Sequence, residues 1–396
     1  MKILIIVVYY LPSVESCVQL IHDLAHEFKL RGHDPIVLTT NNNISDNVQI
    51  TDEQGIKVIR VKTGKIKGAT RFIRAINEMR LSHTIWRKAK KHLLAHPCDF
   101  IVYYCPSIFF GSLVNRLKKI FNCKLYLVQR DIFPQWVLDA GILKQGPLYR
   151  YFKRKELQNY DAADVIGVQS PADLDYFINN RLNERYNCEV LFNWINLSQD
   201  GISHYNFRKK LGLEKKIVLF FGGNIGIAQD MDNIVRVAVR LKDIPEAHFL
   251  LVGEGSEVPR LKREIQRIGL KNLTIHPAVG QQDYMRMIAD IDIGMISLDR
   301  NLKNHNYPGK MLGYMYHAKP ILASINPGNA LQDFLQTHEA GLVCHNGEDE
   351  VFYNQALQLI KNPDLRAQMG KNGRILLEST FSVSTAASQI LSHFSN

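Results

Sequence analysis

The chain has 396 residues, 46% of them hydrophobic, and a formal charge of +11. It is long enough for two domains with separate cores, and no segment approaches the roughly 18 to 20 apolar residues needed to span a bilayer. The six cysteines (Cys17, Cys98, Cys105, Cys123, Cys188, Cys344) are scattered without a C-x-x-C pair, which argues against a zinc site or a disulfide framework and for a reducing cytosol.

Residues 3–11 are an apolar run without a small-residue cleavage site, so they read as a buried first strand, over 3–9, rather than a signal. A helix over 18–31 and a strand over 35–40 follow. Glu15 and Ser16, in the loop between, are candidate site residues, with capping of the helix as the plainer role. The basic excess belongs to the next region. Residues 51–150 hold 19 Lys and Arg against 6 Asp and Glu, while the remainder holds 30 against 32. It is densest over 62–91, where Lys62, Lys65, Lys67, Arg71, Arg74, Arg80, Arg87, Lys88, Lys90 and Lys91 interleave with Phe72, Ile73, Ile76, Met79, Leu81, Ile85 and Trp86. Such a segment suits an anionic membrane surface. A solvated helix face is the alternative, and nucleic acid is not expected because no RNP, zinc-finger or helix-turn-helix signature accompanies it.

Strands over 100–104, 124–128 and 165–168, a helix over 113–121 and a short strand over 190–192 complete an alternating α/β series, hence a parallel sheet. Arg130 and Asp131 follow the 124–128 strand, at the end where ligands of such sheets bind. Asp131 suits a hydrogen bond from a substrate hydroxyl, against a plain cap or a partnership with Arg130. The hydrophilic stretch 193–216 reads as an interdomain crossing. A second α/β series follows, with strands over 217–221, 248–252, 273–275, 291–296 and 321–324 and helices over 231–241, 258–268 and 283–289.

In that second half Gly222-Gly223-Asn224-Ile225-Gly226 closes a strand, and Gly253-Glu254-Gly255 closes another. Neither fits G-x-G-x-x-G, so a nicotinamide enzyme is disfavoured. Asn306-Tyr307-Pro308-Gly309-Lys310 sets a lone lysine at a helix mouth, where free amides and the helix dipole favour an anion. Three such loops in one half predict a diphosphate pocket. The pairs Asp290/Asp292, Asp230/Asp232 and Asp173/Asp175 lie on a strand edge, a helix entrance and a helix, the pairs His22/His26 and His92/His96 lack the zincin glutamate, and no G-x-S-x-G occurs, so no metal is expected and acyl transfer is not supported.

Taken together, Tyr9-Tyr10-Leu11-Pro12, Arg31-Gly32-His33-Asp34, Arg130-Asp131-Ile132-Phe133-Pro134, Gly222 to Gly226 with Ala228-Gln229, Val252 to Gly255, and Pro308-Gly309-Lys310 through Lys319-Pro320-Ile321 resemble family 4 retaining glycosyltransferases of GT-B fold over nearly the whole chain. Within them the chain looks closest to bacterial O-antigen and capsule enzymes, including those named as N-acetyl-L-fucosaminyltransferases. The resemblance implies two Rossmann-like domains facing a central cleft: residues 1–200 binding the acceptor, 201–378 binding a nucleotide sugar, and a C-terminal helix in 379–396 packing back on the first. It implies metal-independent transfer, with retention, of a sugar such as N-acetyl-L-fucosamine from a UDP-sugar to a polyprenyl-diphosphate-linked saccharide, at the inner face of the bacterial plasma membrane. Gly222, Gly223, Asn224, Gln229, Gly253, His276, Asn306, Tyr307, Pro308, Gly309 and Lys310 would hold the donor; Glu15, Ser16 and Asp131 would face the acceptor; Lys310, Asp131 and Arg130 would be catalytic.

Two departures stand out. The family's Arg and Lys at the first phosphate loop fall on Asn224 and Gln229, and its pair of glutamates falls on His305 and Gly313. Lys310 is therefore expected to take a larger share of the leaving-group charge. A nucleotide-sugar 2-epimerase of similar fold and a non-catalytic nucleotide-sugar-binding protein are the alternatives.

Overall fold

The computed structural model describes residues 1–13, 15–66, 68, 70–105, 107–139, 141–198, 207–302 and 307–394. The chain forms two units, Met1–Asn196 with Val383–Asn396, and Leu197–Ser382.

The first unit contains, in order, β1 (Lys2–Ile6), α1 (Ser16–Leu30), β2 (Asp34–Asn41), β3 (Val48–Glu53), β4 (Ile56–Lys62), α2 (Arg71–Met79), α3 (Leu81–Leu94), β5 (Phe100–Tyr104), α4 (Gly111–Phe121), β6 (Lys124–Val128), α5 (Gln135–Asp139), α6 (Pro147–Ala162), β7 (Val165–Val168), α7 (Pro171–Asn179) and β8 (Cys188–Val190). Its sheet runs β3-β4-β2-β1-β5-β6-β7-β8 and is parallel except for β3, which pairs antiparallel with β4. Helices cover both faces, which is why β1 after Lys2 is an unbroken apolar run, with Ile3 to Ile6 at most 3% exposed. One face carries α3, α4 and α6, the other α1.

The second unit contains α8 (Phe207–Leu211), β9 (Ile217–Gly222), a single 3₁₀ turn (Ile227–Gln229), α9 (Met231–Arg240), β10 (Ala247–Val252), α10 (Val258–Ile268), β11 (Leu273–His276), α11 (Gln281–Asp290), β12 (Ile293–Ser297), α12 (Lys310–Tyr316), β13 (Ile321–Ile325), α13 (Leu331–Thr337), β14 (Gly341–His345), α14 (Asp349–Lys361) and α15 (Pro363–Thr380). Its all-parallel sheet runs β11-β10-β9-β12-β13-β14.

A final helix, α16 (Val383–Ser392), belongs to the first unit. Arg31 donates to Ser384 O (2.7 Å) and Ser388 Oγ (2.9 Å), Gln389 donates to Val190 O (2.9 Å), and Phe394 stacks on Phe100 with centroids 4.7 Å apart.

Two sequence-based expectations need correction. Residues 62–91 are not one surface segment: Leu81, Ile85, Ala89 and Leu93 of α3 lie in the core, and Trp86 is half-buried between Lys90 (5.7 Å) and Arg116 (4.8 Å). Among the described side chains of this segment the apolar ones left open are Ile73 (49% exposed) and Met79 (41%) on α2. The stretch 193–216 is more than a crossing. Trp194 is buried in the first unit, donating to Leu20 O (2.8 Å), and Arg208 is tied to Asp292 (2.7 Å) in the second, while 199–206 lie outside the described residues.

Candidate functional site

The carboxyl ends of β9, β10 and β11 and the loops just past them hold Gly222, Gly223, Asn224, Gln229, Gly253 and His276 of the expected donor residues. Gly222 ends β9 where any Cβ would run into the Tyr284 ring of α11. Gly223 then turns the chain at φ +124°, which glycine adopts without steric penalty. Past the strands the backbones stay paired: Gly223 N donates to Val252 O (2.9 Å), Ile225 N to Glu254 O (2.8 Å) and Gly253 N to His276 O (3.1 Å). A side chain on Gly253 would overlap the Gly223 carbonyl oxygen. Glycine there lets two loops touch, which gives Gly253 a structural role.

This pairing corrects the expectation of an open cradle of amides. The amides of Gly223 and Ile225 are engaged in the ladder and that of Gly226 in Gln229 Oε1 (3.2 Å); among the described residues the Asn224 amide alone of residues 223–226 has no acceptor. Asn224 Nδ2 also donates to Gln229 Oε1 (3.0 Å). The two residues at the positions of the family's Arg and Lys thus bind each other. His276 closes β11 with Nδ1 donating to Pro277 O (2.7 Å).

The Pro308-Gly309-Lys310 segment is also corrected in part. α12 has only seven residues, and Met311 N and Leu312 N donate to Pro308 O (3.0 Å) and Gly309 O (3.2 Å), so these amides do not face outward. What remains is the side chain. Lys310 Nζ lies 3.5 Å from the centroid of the Phe221 ring and close to Gly223, whose added Cβ would stand 3.7 Å from it. Among the described residues it has no carboxylate partner or hydrogen-bond acceptor. The ring face offers a cation less than lost hydration does, and burial brings the Lys310 pKa from 10.5 down to about 7. Tyr307 is buried, its ring 5.1 Å from Phe334; Gly309 is exposed with open space around it; Pro308 precedes the helix; Asn306 and His305 lie outside the described residues. At Gly313 a Cβ would lie 3.0 Å from Ile288 Cδ1, so α12 packs on α11 where the family's acid would stand.

A lysine held near neutrality has a measurable signature. In the unfolded chain it keeps its proton to about pH 10.5 and in the fold it loses it near 7, so this residue makes stability rise with pH between those values. A bound diphosphate favours the charged form. Binding of UDP at about pH 8.5 is therefore expected to take up close to one proton, and at about pH 6 almost none. Calorimetry in buffers of different ionisation enthalpy measures this, and uptake that persists in Lys310→Met would assign it elsewhere.

In the first unit, Arg130 is buried at the carboxyl end of β6; Nη1 donates to Leu191 O (2.8 Å), and its guanidinium lies 5.5 Å from the Trp194 ring. Asp131 beside it reaches solvent; crowding by protein raises its pKa, partly offset by the Arg130 charge. Glu15 occupies the N-cap position of α1 and accepts from Ser13 Oγ (2.5 Å), and Ser16 is the first residue of that helix. Sequence reasoning set Asp173 aside as half of a D-x-D pair. The structure places it at the start of α7, bonded to Ser170 (3.0 Å), its pKa raised to about 6 by burial and lowered in part by Ser170 and Arg130. Ser170-Pro171 closing β7 was the available signal. Also unforeseen is a cavity of about 290 Å³ at the carboxyl edge of the first sheet, lined among others by Tyr9, Thr40, Asn41, Asn42, Asn43 and Arg60. The other acidic pairs are engaged: Asp292 with Arg208 and the Val218 amide (2.7 Å each), Asp232 with Arg260 (3.0 Å).

Residues 204–376 match the family model described as "Glycosyl transferases group 1". The chain is similar to "Probable glycosyltransferase WbjE" of Pseudomonas aeruginosa, 23% identical over 273 residues, 67% of this chain and 66% of that protein. It is also similar to "Putative colanic acid biosynthesis glycosyl transferase WcaI" of Escherichia coli K12, 24% identical over 260 residues, 62% of each. The matches thus span under two thirds of both relatives' length. The structure of HepE from Anabaena in complex with UDP superposes with a TM-score of 0.69 at 16% identity, covering 99% of both chains. The chain has the GT-B fold, and its second unit carries a glycosyltransferase group 1 domain.

Proposed function

We propose that the protein is a retaining glycosyltransferase that moves a sugar from a UDP-linked donor to a lipid-linked saccharide in bacterial surface-polysaccharide assembly. The observation that carries the donor site is the Lys310 ammonium over Phe221, without an acceptor among the described residues, beside the backbone amide of Asn224 just past the end of β9, which likewise has none among them. A site with one enclosed cation and one open amide suits the charge that develops on a departing diphosphate. The names of WbjE and WcaI support the transfer reaction and, for WcaI, the polysaccharide setting; HepE supports UDP as the nucleotide.

In the reaction as we read it, the bond between the anomeric carbon and the diphosphate oxygen breaks as the acceptor oxygen bonds that carbon on the same face. The acceptor proton passes to the departing phosphate oxygen, and UDP leaves. Asp131 orients the acceptor hydroxyl, with Arg130 holding its loop. Lys310 rather than a metal ion neutralises the leaving group, so EDTA is expected to leave turnover unchanged. Asn41, Asn42 and Asn43 suit the neutral hydroxyls of an acceptor sugar, since the Arg60 charge is taken up by Glu53 (2.9 Å).

A melting-temperature screen against UDP-, GDP- and dTDP-sugars, followed by product analysis with and without a lipid-linked acceptor, tests the reading. Saturation at about 100 Kd adds about 2.7 kcal/mol of stability. Product of inverted anomeric configuration, or epimerised donor without acceptor, would overturn it. We further propose peripheral attachment through the basic segment: neutralising Arg87, Lys88, Lys90 and Lys91 together is expected to weaken co-sedimentation with anionic vesicles, and equal binding would refute it.

A further inference from the structure

We infer that a second part of the first unit, the lobe formed by α5, residues 141–146 and the first turn of α6, inserts into an anionic lipid surface. The lobe presents three large apolar side chains to water, Trp136 (49% exposed), Ile142 (68%) and Leu148 (55%). They belong to one packed body. The amides of Ile142 and Leu143 both donate to Val137 O (3.0 Å), Tyr149 Oη donates to Gln135 Oε1 (3.0 Å), and the Phe133 and Phe152 rings meet at 5.1 Å. The three side chains are therefore held out by a built scaffold rather than by a loose loop.

Charge selects the occupant. Residues 135–155 contain Lys144, Arg150, Lys153, Arg154 and Lys155 against Asp139 alone, and Lys144, Arg150 and Arg154 are exposed. An apolar patch with a basic surround matches acyl chains beneath anionic headgroups, and an indole suits the boundary between them. The topology adds a second argument. α2, with exposed Ile73 and Met79, follows β4, and the lobe follows β6; both begin at the carboxyl edge of the same sheet, and Ile132 and Phe133, leading into the lobe, pack on the face that carries α3, α4 and α6. Four strand steps separate β4 from β6, roughly 19 Å at the usual strand spacing. The lobe thus goes beyond the basic segment 62–91 and supplies the apolar contact that α3, with its core-facing side chains, does not.

Trp136 is a built-in reporter, because Trp194 is buried and Trp86 half-buried. With the full-length protein and vesicles of phosphatidylglycerol and phosphatidylcholine, its emission is expected to shift to the blue and to be quenched by brominated acyl chains. Trp136→Phe removes both changes. Ile142→Ser combined with Leu148→Ser lowers vesicle affinity at least about tenfold with an unchanged melting temperature. Vesicles of phosphatidylcholine alone bind more weakly. The inference falls if the protein fails to sediment with anionic vesicles, if it sediments with Trp136 emission unchanged, or if the double variant binds normally. It also falls if ultracentrifugation shows a dimer that the double variant dissociates, which would make a second copy the occupant. Loss of binding on neutralising Arg87, Lys88, Lys90 and Lys91 alone, with Trp136 silent, would leave the basic segment standing and remove the lobe.

Discussion

Lys310→Ala and Lys310→Met are each expected to lower turnover about a hundredfold or more while the protein stays folded. Removing one preorganised donor to a developing anion typically raises a barrier by about 2.7 to 4 kcal/mol. Here two further circumstances push toward the upper end. The amides of Gly223, Ile225 and Gly226 are engaged within the protein, and Asn224 is bonded to Gln229, so few donors remain to share the charge. The side chain also sits enclosed against Phe221, where each electrostatic contact weighs more than in water. Methionine keeps the aliphatic stem and relieves the burial of an amine, so its melting temperature at about pH 6.5 should equal or exceed that of the parent. Because the charge develops in the transition state, kcat should fall more than donor KM rises. A variant with normal kcat and a raised KM would confine Lys310 to ground-state binding.

Gly253→Ala is expected to act through the fold of the site. The new methyl would overlap the Gly223 carbonyl oxygen, and neither partner is a flexible side-chain end that swings away. The β9 and β10 loops must part, breaking the bonds from Gly223 to Val252 and from Ile225 to Glu254. A stability loss of about 3 kcal/mol follows from overpacking of this kind, seen as a fall in melting temperature of roughly 6–12 °C. Donor binding should weaken as well, since Lys310 Nζ rests beside Gly223. The contrast with Lys310→Met, which spares the melting temperature, separates a chemical from a structural role. A Gly253→Ala protein that melts normally would show that the loops tolerate separation.

The strands that are buried on both faces were legible, because a continuous apolar run leaves few alternatives: β5, β6 and β7 fall on the residues expected. The β3–β4 hairpin was not. Its edge strand is half-exposed and polar, and its turn, Gln54-Gly55 with both φ positive (55° and 84°), lacks the usual Asn-Gly signal. The basic segment misled for a related reason. Apolar residues at helical spacing among lysines look the same whether they face lipid or a neighbouring helix, and only packing against α4 and the sheet assigns Leu81 and Ile85 to the core. At the site, spacing revealed which loops converge but not where their amides point. Gly253 and Gly223 read as phosphate glycines, yet a hydrogen bond between loops 30 residues apart in sequence is a tertiary fact. Lys310 stood out because a lysine behind Pro-Gly is a local pattern, whereas Asp173 owes its raised pKa to burial that its neighbours in sequence do not announce.

The return of α16 to the first unit orders events during synthesis. Residues 383–394 cover Phe100 and tie to Arg31, Val190 and Glu189, so the face that holds α1 stays open until they leave the ribosome. The second unit lies between the two pieces of the first and can complete its sheet while that face is still waiting. A nascent chain arrested after residue 382 would thus join a finished second unit to a first unit whose α1 face is uncovered, and stop codons in the last dozen described residues would cost stability in a unit that precedes them by nearly two hundred residues.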